Sequence, residues 1–260
     1  MGIINVTPDS FYDGGKNNSV ETAITQVRKH LKEGATVIDI GGYSSRPGAD
    51  EVTEQEELNR TIPIIEAVLI AFPDTIISID TFRSNVAKKA IEAGAAIIND
   101  ISAGDLDENM FSVVAEKQVP YILMHMQGTP ETMQNNPNYK NIIQEITYYF
   151  SEKINTLRKK GVIDIIIDPG FGFGKTLEHN YEILGKLNHF QLLNVPILAG
   201  VSRKSMIYKL LEISPQESLN GTIAANIIAL RNGATILRVH DVKEAAECVK
   251  LDTKILLRKN

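Results

Sequence analysis

Eight times along this chain a short run rich in Ile and Val, bounded by Gly, Pro or polar residues, is followed by a longer stretch with the spacing of a helix. A strand that is apolar along its whole length is buried on both faces. The repeated strand-then-helix order selects a parallel sheet, because parallel neighbours need a crossover between them. Strands are predicted at residues 1–5, 36–40, 75–80, 96–99, 121–125, 163–168, 197–199 and 235–239. Eight such units in 260 residues match an α/β fold of the (β/α)8 or TIM-barrel type, a single domain over residues 1–260, with a doubly wound open sheet as the alternative. Thr53, with Glu56 three residues on, forms a capping box ahead of a helix through 58–72; Ser84 and Asp241 read as further N-caps. Polar loops at 6–19, 41–52 and 126–138 have the length of functional lids.

Composition excludes several classes. Lys and Arg number 27 against 32 Asp and Glu, a net charge of −5, so there is no dense basic face for nucleic acid or an acidic membrane. The apolar runs fall far short of the roughly 20 residues of a membrane span, and the first residues lack the pattern of a secretory signal, which places the chain in the cytoplasm. One cysteine, Cys248, rules out an internal disulfide and a thiolate zinc cluster. Gly170, Gly172 and Gly174 before Lys175 suggest a phosphate loop, but Pro169 stands where its first glycine belongs; the dinucleotide pattern fails at Lys175. Gly200-Val201-Ser202 opens like a nucleophile elbow and fails at Lys204.

In a barrel, chemistry gathers at the carboxyl ends of the strands. Here those ends carry Asn5, Asp80, Asn99, Asp100, His125, Asp168, the run Ser202-Arg203-Lys204, Arg238 and His240. Each alone reads equally well as a helix cap or turn residue. Together they point to one pocket with two chemistries. Asp80, Asn99 and Asp168 suit a flat heterocycle that displays amino and ring N–H donors. Asn5, Lys204, Arg238 and His240 suit a phosphate or pyrophosphate. Elsewhere the plain readings prevail: His125 as a buried, hydrogen-bonded histidine, Phe171 and Cys248 as packing, Lys175 as exposed.

Motifs spread over the whole chain resemble the dihydropteroate synthase family of pterin-binding enzymes. They are Gly2 to Phe11 with Asp13-Gly14-Gly15, Ser45-Arg46-Pro47-Gly48, Ser78-Ile79-Asp80-Thr81, Ile98-Asn99-Asp100, Met124-His125-Met126-Gln127-Gly128-Thr129-Pro130, Asp168 to Phe173, Ser202-Arg203-Lys204-Ser205 and Arg238-Val239-His240, in family order. The resemblance implies a pterin-binding barrel, usually a homodimer. It condenses 6-hydroxymethyl-7,8-dihydropterin pyrophosphate with para-aminobenzoate to give 7,8-dihydropteroate, and sulfonamides mimic the aminobenzoate.

Carried over by position, Asp80, Asn99, Met124, Asp168, Lys204 and Arg238 would bind the pterin, and Asn5, Arg238 and His240 the pyrophosphate, with Asn5 also near Mg²⁺. Phe11, Ser45, Arg46, Pro47, Phe173, Lys204 and Ser205 would form the aminobenzoate site. Asp80, Asp168, Lys204, Arg238 and His240 would carry the catalysis. Departures from the family pattern are Tyr43 for a glutamate, Ser45 for a threonine and Tyr12 for a small residue. Family members normally carry a short segment upstream of the first strand, and its loss is expected to affect stability more than chemistry. The helices at 218–231 and 241–257, with wide apolar stripes, are the expected dimer faces.

Overall fold

The Ile- and Val-rich runs form strands at all eight predicted places in the computed structural model, which describes residues 1–6, 16–43, 52–130, 132–133 and 136–256. The strands are β1 (Gly2–Asn5), β2 (Val37–Gly41), β3 (Ile76–Asp80), β4 (Ile97–Asp100), β5 (Tyr121–Met124), β6 (Ile165–Asp168), β7 (Leu198–Ala199) and β8 (Ile236–Leu237). The helices are α1 (Lys16–Glu33), α2 (Glu54–Ala71), α3 (Ser84–Glu92), α4 (Met110–Lys117), α5 (Ile142–Lys159), α6 (Leu177–Gly185), α7 (Ser205–Leu210), α8 (Leu219–Arg231) and α9 (Val242–Leu256). No described helix is long and apolar enough to cross a membrane. Contacts group the chain into two compact units, Met1–Met124 with Asn155–Ile165, and His125–Ile154 with Ile166–Asn260.

In the first unit β1 to β5 lie parallel in chain order, and the chain entering β6 joins them where the Tyr121 N–H donates to the Asp164 carbonyl at 2.9 Å. Ile4, Ile38, Ile40, Ile77, Ile79 and Ile98 are fully buried, which is why these strands read as apolar throughout. The capping box at α2 is present: the Thr53 hydroxyl accepts from the Glu56 N–H at 3.3 Å, and the Glu56 carboxylate accepts from the Thr53 N–H at 3.1 Å. Ser84 differs from expectation. It is the first residue of α3, behind Arg83, and its N–H is satisfied by the Asp107 carboxylate at 2.7 Å. Asp100 is wholly buried and accepts from the Ser102 N–H and hydroxyl, the Gly104 N–H and the Tyr121 hydroxyl. Burial pushes its carboxyl pKa up and these four bonds oppose the rise, so it braces the turn after β4.

In the second unit β7 and β8 are parallel, with Leu198 opposite Ile236 and Ala199 opposite Leu237, and Ile167 of β6 bridges to Ile197. Phe150, Phe171 and Phe190 are fully buried, as expected for Phe171, and Cys248 packs inside as well. Asp241 does precede α9, but its carboxylate is held by Arg203.

Candidate active site

The carboxyl ends of β1 to β4 come into register. Asn5 lies opposite Gly41, Gly41 opposite Asp80, and Asp80 opposite Asn99. Side chains two residues apart share a face of a strand, so Asp39 sits one step below this row on the side of Gly41. Asn99 is buried and its Nδ2 donates to Oδ2 of Asp39 at 3.1 Å. Asp39 thereby fixes which way the Asn99 amide faces. Asp39 is not among the residues expected from the sequence; its signal there is a carboxylate inside the apolar run Val37–Gly41. A Cβ on Gly41 would stand 3.3 Å from the Cβ of Asp80, so glycine leaves that carboxylate its room. Asp80 lines a small pocket with Tyr43, Thr81, Phe82 and Ile101. Met124 ends β5, almost fully buried.

Tyr43, the residue that departs from the family glutamate, has a defined partner set. Its ring meets Phe82 edge to face at 5.1 Å, and the Arg83 guanidinium lies 4.9 Å from the Phe82 ring and 5.5 Å from that of Tyr43. Arg83 also pairs with the fully buried Glu57 and donates to the Val52 carbonyl at 2.6 Å. Burial raises the Glu57 carboxyl pKa against the bonds from Thr81 and Arg83. The guanidinium thus lies against two aromatic rings as well as the Glu57 carboxylate.

In the second unit Asp168 ends β6, 7% exposed. Its Oδ1 accepts from the Gly170 N–H at 2.8 Å, and its carbonyl from the His125 N–H at 3.0 Å. Burial raises the carboxyl pKa; the Gly170 bond and the charges of Lys204, Arg238 and Lys175 pull it back. Lys204 stands over the Phe173 ring at 4.3 Å, a cation on an aromatic face, with Ser205 next along as the first residue of α7. Gly172 takes φ +80°, a backbone conformation that favours glycine, beside the Lys204 stem. Arg238 follows β8 with its N–H on the Ala199 carbonyl at 3.1 Å. His240 Nδ1 lies 3.1 Å from the Ser202 hydroxyl.

Three outcomes refine the sequence reading. Asp168, Phe173, Lys204 and Arg238 share one electrostatic neighbourhood, as Asn99 and Asp39 do in the first unit. Arg203, within the same motif as Lys204, instead points away to Asp241, Pro215 and Gln216. Lys175, expected exposed, is 4% exposed, because its amine finds three acceptors inside the fold. Phe11, Ser45, Arg46 and Pro47 lie outside the described residues.

Parallel strands alternating with helices, with polar residues gathered at the strands' carboxyl ends, define an enzyme of the (β/α)8 class. A family model described as "Pterin binding enzyme" matches residues 1–240. A dihydropteroate synthase of Escherichia coli is 46% identical over 253 residues, 96% of this chain and 89% of that protein. Among solved structures, a Yersinia pestis dihydropteroate synthase in complex with a sulfonamide drug superposes with a TM-score of 0.92 at 42% identity, covering 99% of this chain and 93% of that one. A Clostridium difficile dihydropteroate synthase determined in the presence of pteroic acid gives 0.91 at 41%, covering 98% and 95%. The chain belongs to the pterin-binding enzymes, in the dihydropteroate synthase family.

Proposed function

We infer that this chain, as one pterin-binding domain, condenses 6-hydroxymethyl-7,8-dihydropterin pyrophosphate with para-aminobenzoate, giving 7,8-dihydropteroate and pyrophosphate. The observation that carries the reading is the buried Asp168 carboxylate flanked by the charges of Lys204 and Arg238. It is an acceptor for ring N–H groups with cations beside it for the anionic leaving group. Asp168, Asp80 and Asn99 accept from or donate to the pterin ring, Met124 packs on it, and Lys204 and Arg238 border it. Asn5, Arg238 and His240 hold the pyrophosphate. Phe173, Lys204, Ser205, Phe11, Ser45, Arg46 and Pro47 receive the aminobenzoate, the site that a sulfonamide would contest.

No nucleophilic side chain is needed. The bond from the pterin methylene to the pyrophosphate oxygen breaks, and both its electrons leave with the pyrophosphate. Arg238 and His240 stabilise that departing charge, while Asp168 and Asp80 stabilise the positive charge spreading into the pterin. The aminobenzoate amine then attacks the methylene carbon and sheds a proton.

No described group of three or more His, Cys, Asp or Glu could hold a metal ion. Asn5 offers a neutral amide oxygen at the end of β1. One such oxygen fits Mg²⁺ arriving largely on substrate phosphates and water, as that ion prefers. Bound there, it would neutralise pyrophosphate charge. We place the chain in the cytoplasm and expect a homodimer through α8 and α9, which expose Ile228, Val249, Leu251 and Ile255.

The test supplies the pterin pyrophosphate, aminobenzoate and Mg²⁺, and follows pyrophosphate release with and without the aminobenzoate. Release that requires the amine, with dihydropteroate formed in equal amount, is the expected result. Pterin binding without turnover would reduce the chain to a binding barrel, and methyl transfer from a methylated folate would make it a methyltransferase.

A further inference from the structure

Lys175 has no part in the reaction above, yet it is among the most confined ionisable groups of its unit. Its amine makes three hydrogen bonds, to Nδ1 of His125 at 3.1 Å, to the His125 carbonyl at 3.1 Å and to the Phe173 carbonyl at 2.8 Å. A protonated amine has three donors, and all three are engaged here. Accepting at Nδ1, His125 is then the neutral tautomer with its proton on Nε2. The enclosure is largely aromatic: Tyr149, Tyr139 and Phe150 stand 4.9, 6.0 and 6.4 Å from the His125 ring. Tyr139 donates to the Gly174 carbonyl at 2.8 Å, with His179 against its ring at 5.1 Å.

A buried cation needs a compensating anion. Asp168 is that anion: its charge favours the protonated lysine, burial and Lys204 oppose it, and the balance brings the amine down to about 7. Burial pushes the Asp168 carboxyl pKa up, and Gly170, Lys204, Arg238 and Lys175 oppose that rise, so Lys175 is one of the groups that favour the carboxylate. His125 carries no competing charge, because burial and Lys175 hold its imidazole pKa far below the usual range.

We propose that Lys175 is a positioning residue of the pterin site, a buried cation that keeps Asp168 ionised and ties the Phe173 turn to His125. This rests on reading Asp168 as a pterin ligand. Hydrogen bonds to two main-chain carbonyls hold the turn's shape, and the charge holds the carboxylate in its acceptor form. Replacing the amine with an apolar chain of similar length removes one of three cations beside Asp168. The carboxylate then takes up a proton at higher pH, and pterin affinity fails first on the acid side.

The experiment titrates 6-hydroxymethylpterin into the wild type, Lys175→Met and Asp168→Asn by calorimetry between pH 5 and 8.5. In Lys175→Met the acid limb of affinity moves up by about one pH unit, a loss that approaches tenfold only below both midpoints and largely disappears at pH 8.5. Asp168→Asn binds weakly at every pH. Wild-type affinity in Asp168→Asn would overturn the pterin-ligand reading itself. Weak binding there, with a wild-type pH profile in Lys175→Met, would overturn the role given to Lys175, whatever its melting temperature. Should Lys175→Met not fold, carbon-13 NMR of ε-labelled lysine provides the reciprocal measurement. Asp168→Asn must lower the midpoint of the lysine that titrates near neutrality, and an unmoved midpoint overturns the proposal.

Discussion

Arg203→Met separates an arginine bound to Asp241 from the lysine beside it, which is proposed to meet the substrate. The Arg203 Nε and one terminal nitrogen donate to the two Asp241 oxygens at 2.9 and 2.8 Å, and the other terminal nitrogen donates to the Pro215 and Gln216 carbonyls at 3.0 and 2.8 Å. The backbone is left-handed at Arg203, φ 53°, a cost that methionine shares, so the comparison isolates the guanidinium. With the two side chains 27% and 19% exposed, screening holds the ion pair to about 1 kcal/mol. The two carbonyls are water-accessible, so each lost bond costs about 0.5–1 kcal/mol. A total of about 2–3 kcal/mol lowers the melting temperature by roughly 4–12 °C for a chain of this size. Differential scanning calorimetry measures that shift, and steady-state kinetics well below the new transition measures the rest. Since Lys204 and His240 remain, kcat/KM falls by less than about tenfold, under 1.4 kcal/mol of transition-state stabilisation. A loss of two or more orders of magnitude with an unchanged melting temperature would refute this reasoning and put Arg203 on the substrate.

Asp39→Ala unfastens Asn99, and is expected to raise KM for the pterin substrate about tenfold, a lost hydrogen bond's worth, while leaving KM for aminobenzoate unchanged. His125 titrates only near pH 2 in the fold against an ordinary histidine value of 6.5, so the unfolded chain binds the extra proton. Its contribution to stability is complete above pH 6.5 and is lost as the pH falls below that value. Urea midpoints at pH 7.5 and 5 should therefore converge in His125→Asn relative to the wild type. Gly174→Ala places a Cβ 2.7 Å from the Gln127 carbonyl oxygen and 2.8 Å from its nitrogen, at φ +62°. A loss of about 3 kcal/mol or more is expected in chemical denaturation.

Much of the fold was legible because burial on both faces leaves a local trace. All eight strands stand where Ile and Val cluster, and the box at Thr53 and Glu56 is a contact between residues three apart. Ser84 was misread because its helix is capped by Asp107, 23 positions away. The residues proposed for the site were chosen by their place at the strand ends, since position along a barrel strand itself carries functional weight. Lys175 was misread for the reason Ser84 was: its acceptor at His125 lies 50 positions back. Asp39 escaped notice because its partner, Asn99, is 60 positions on.

By itself the sequence determined the order of strands and helices, the apolar interior and the set of side chains at the strand ends, because periodicity and capping act between residues a few positions apart. Only the tertiary structure decided what those side chains do to one another. It turned Arg203 toward Asp241 while leaving Lys204 on Phe173, aimed Asn99 with Asp39, and placed the Lys175 amine among His125, Phe173 and Asp168. Desolvation and charge pairing depend on distance through space, and no pattern along the chain encodes that distance.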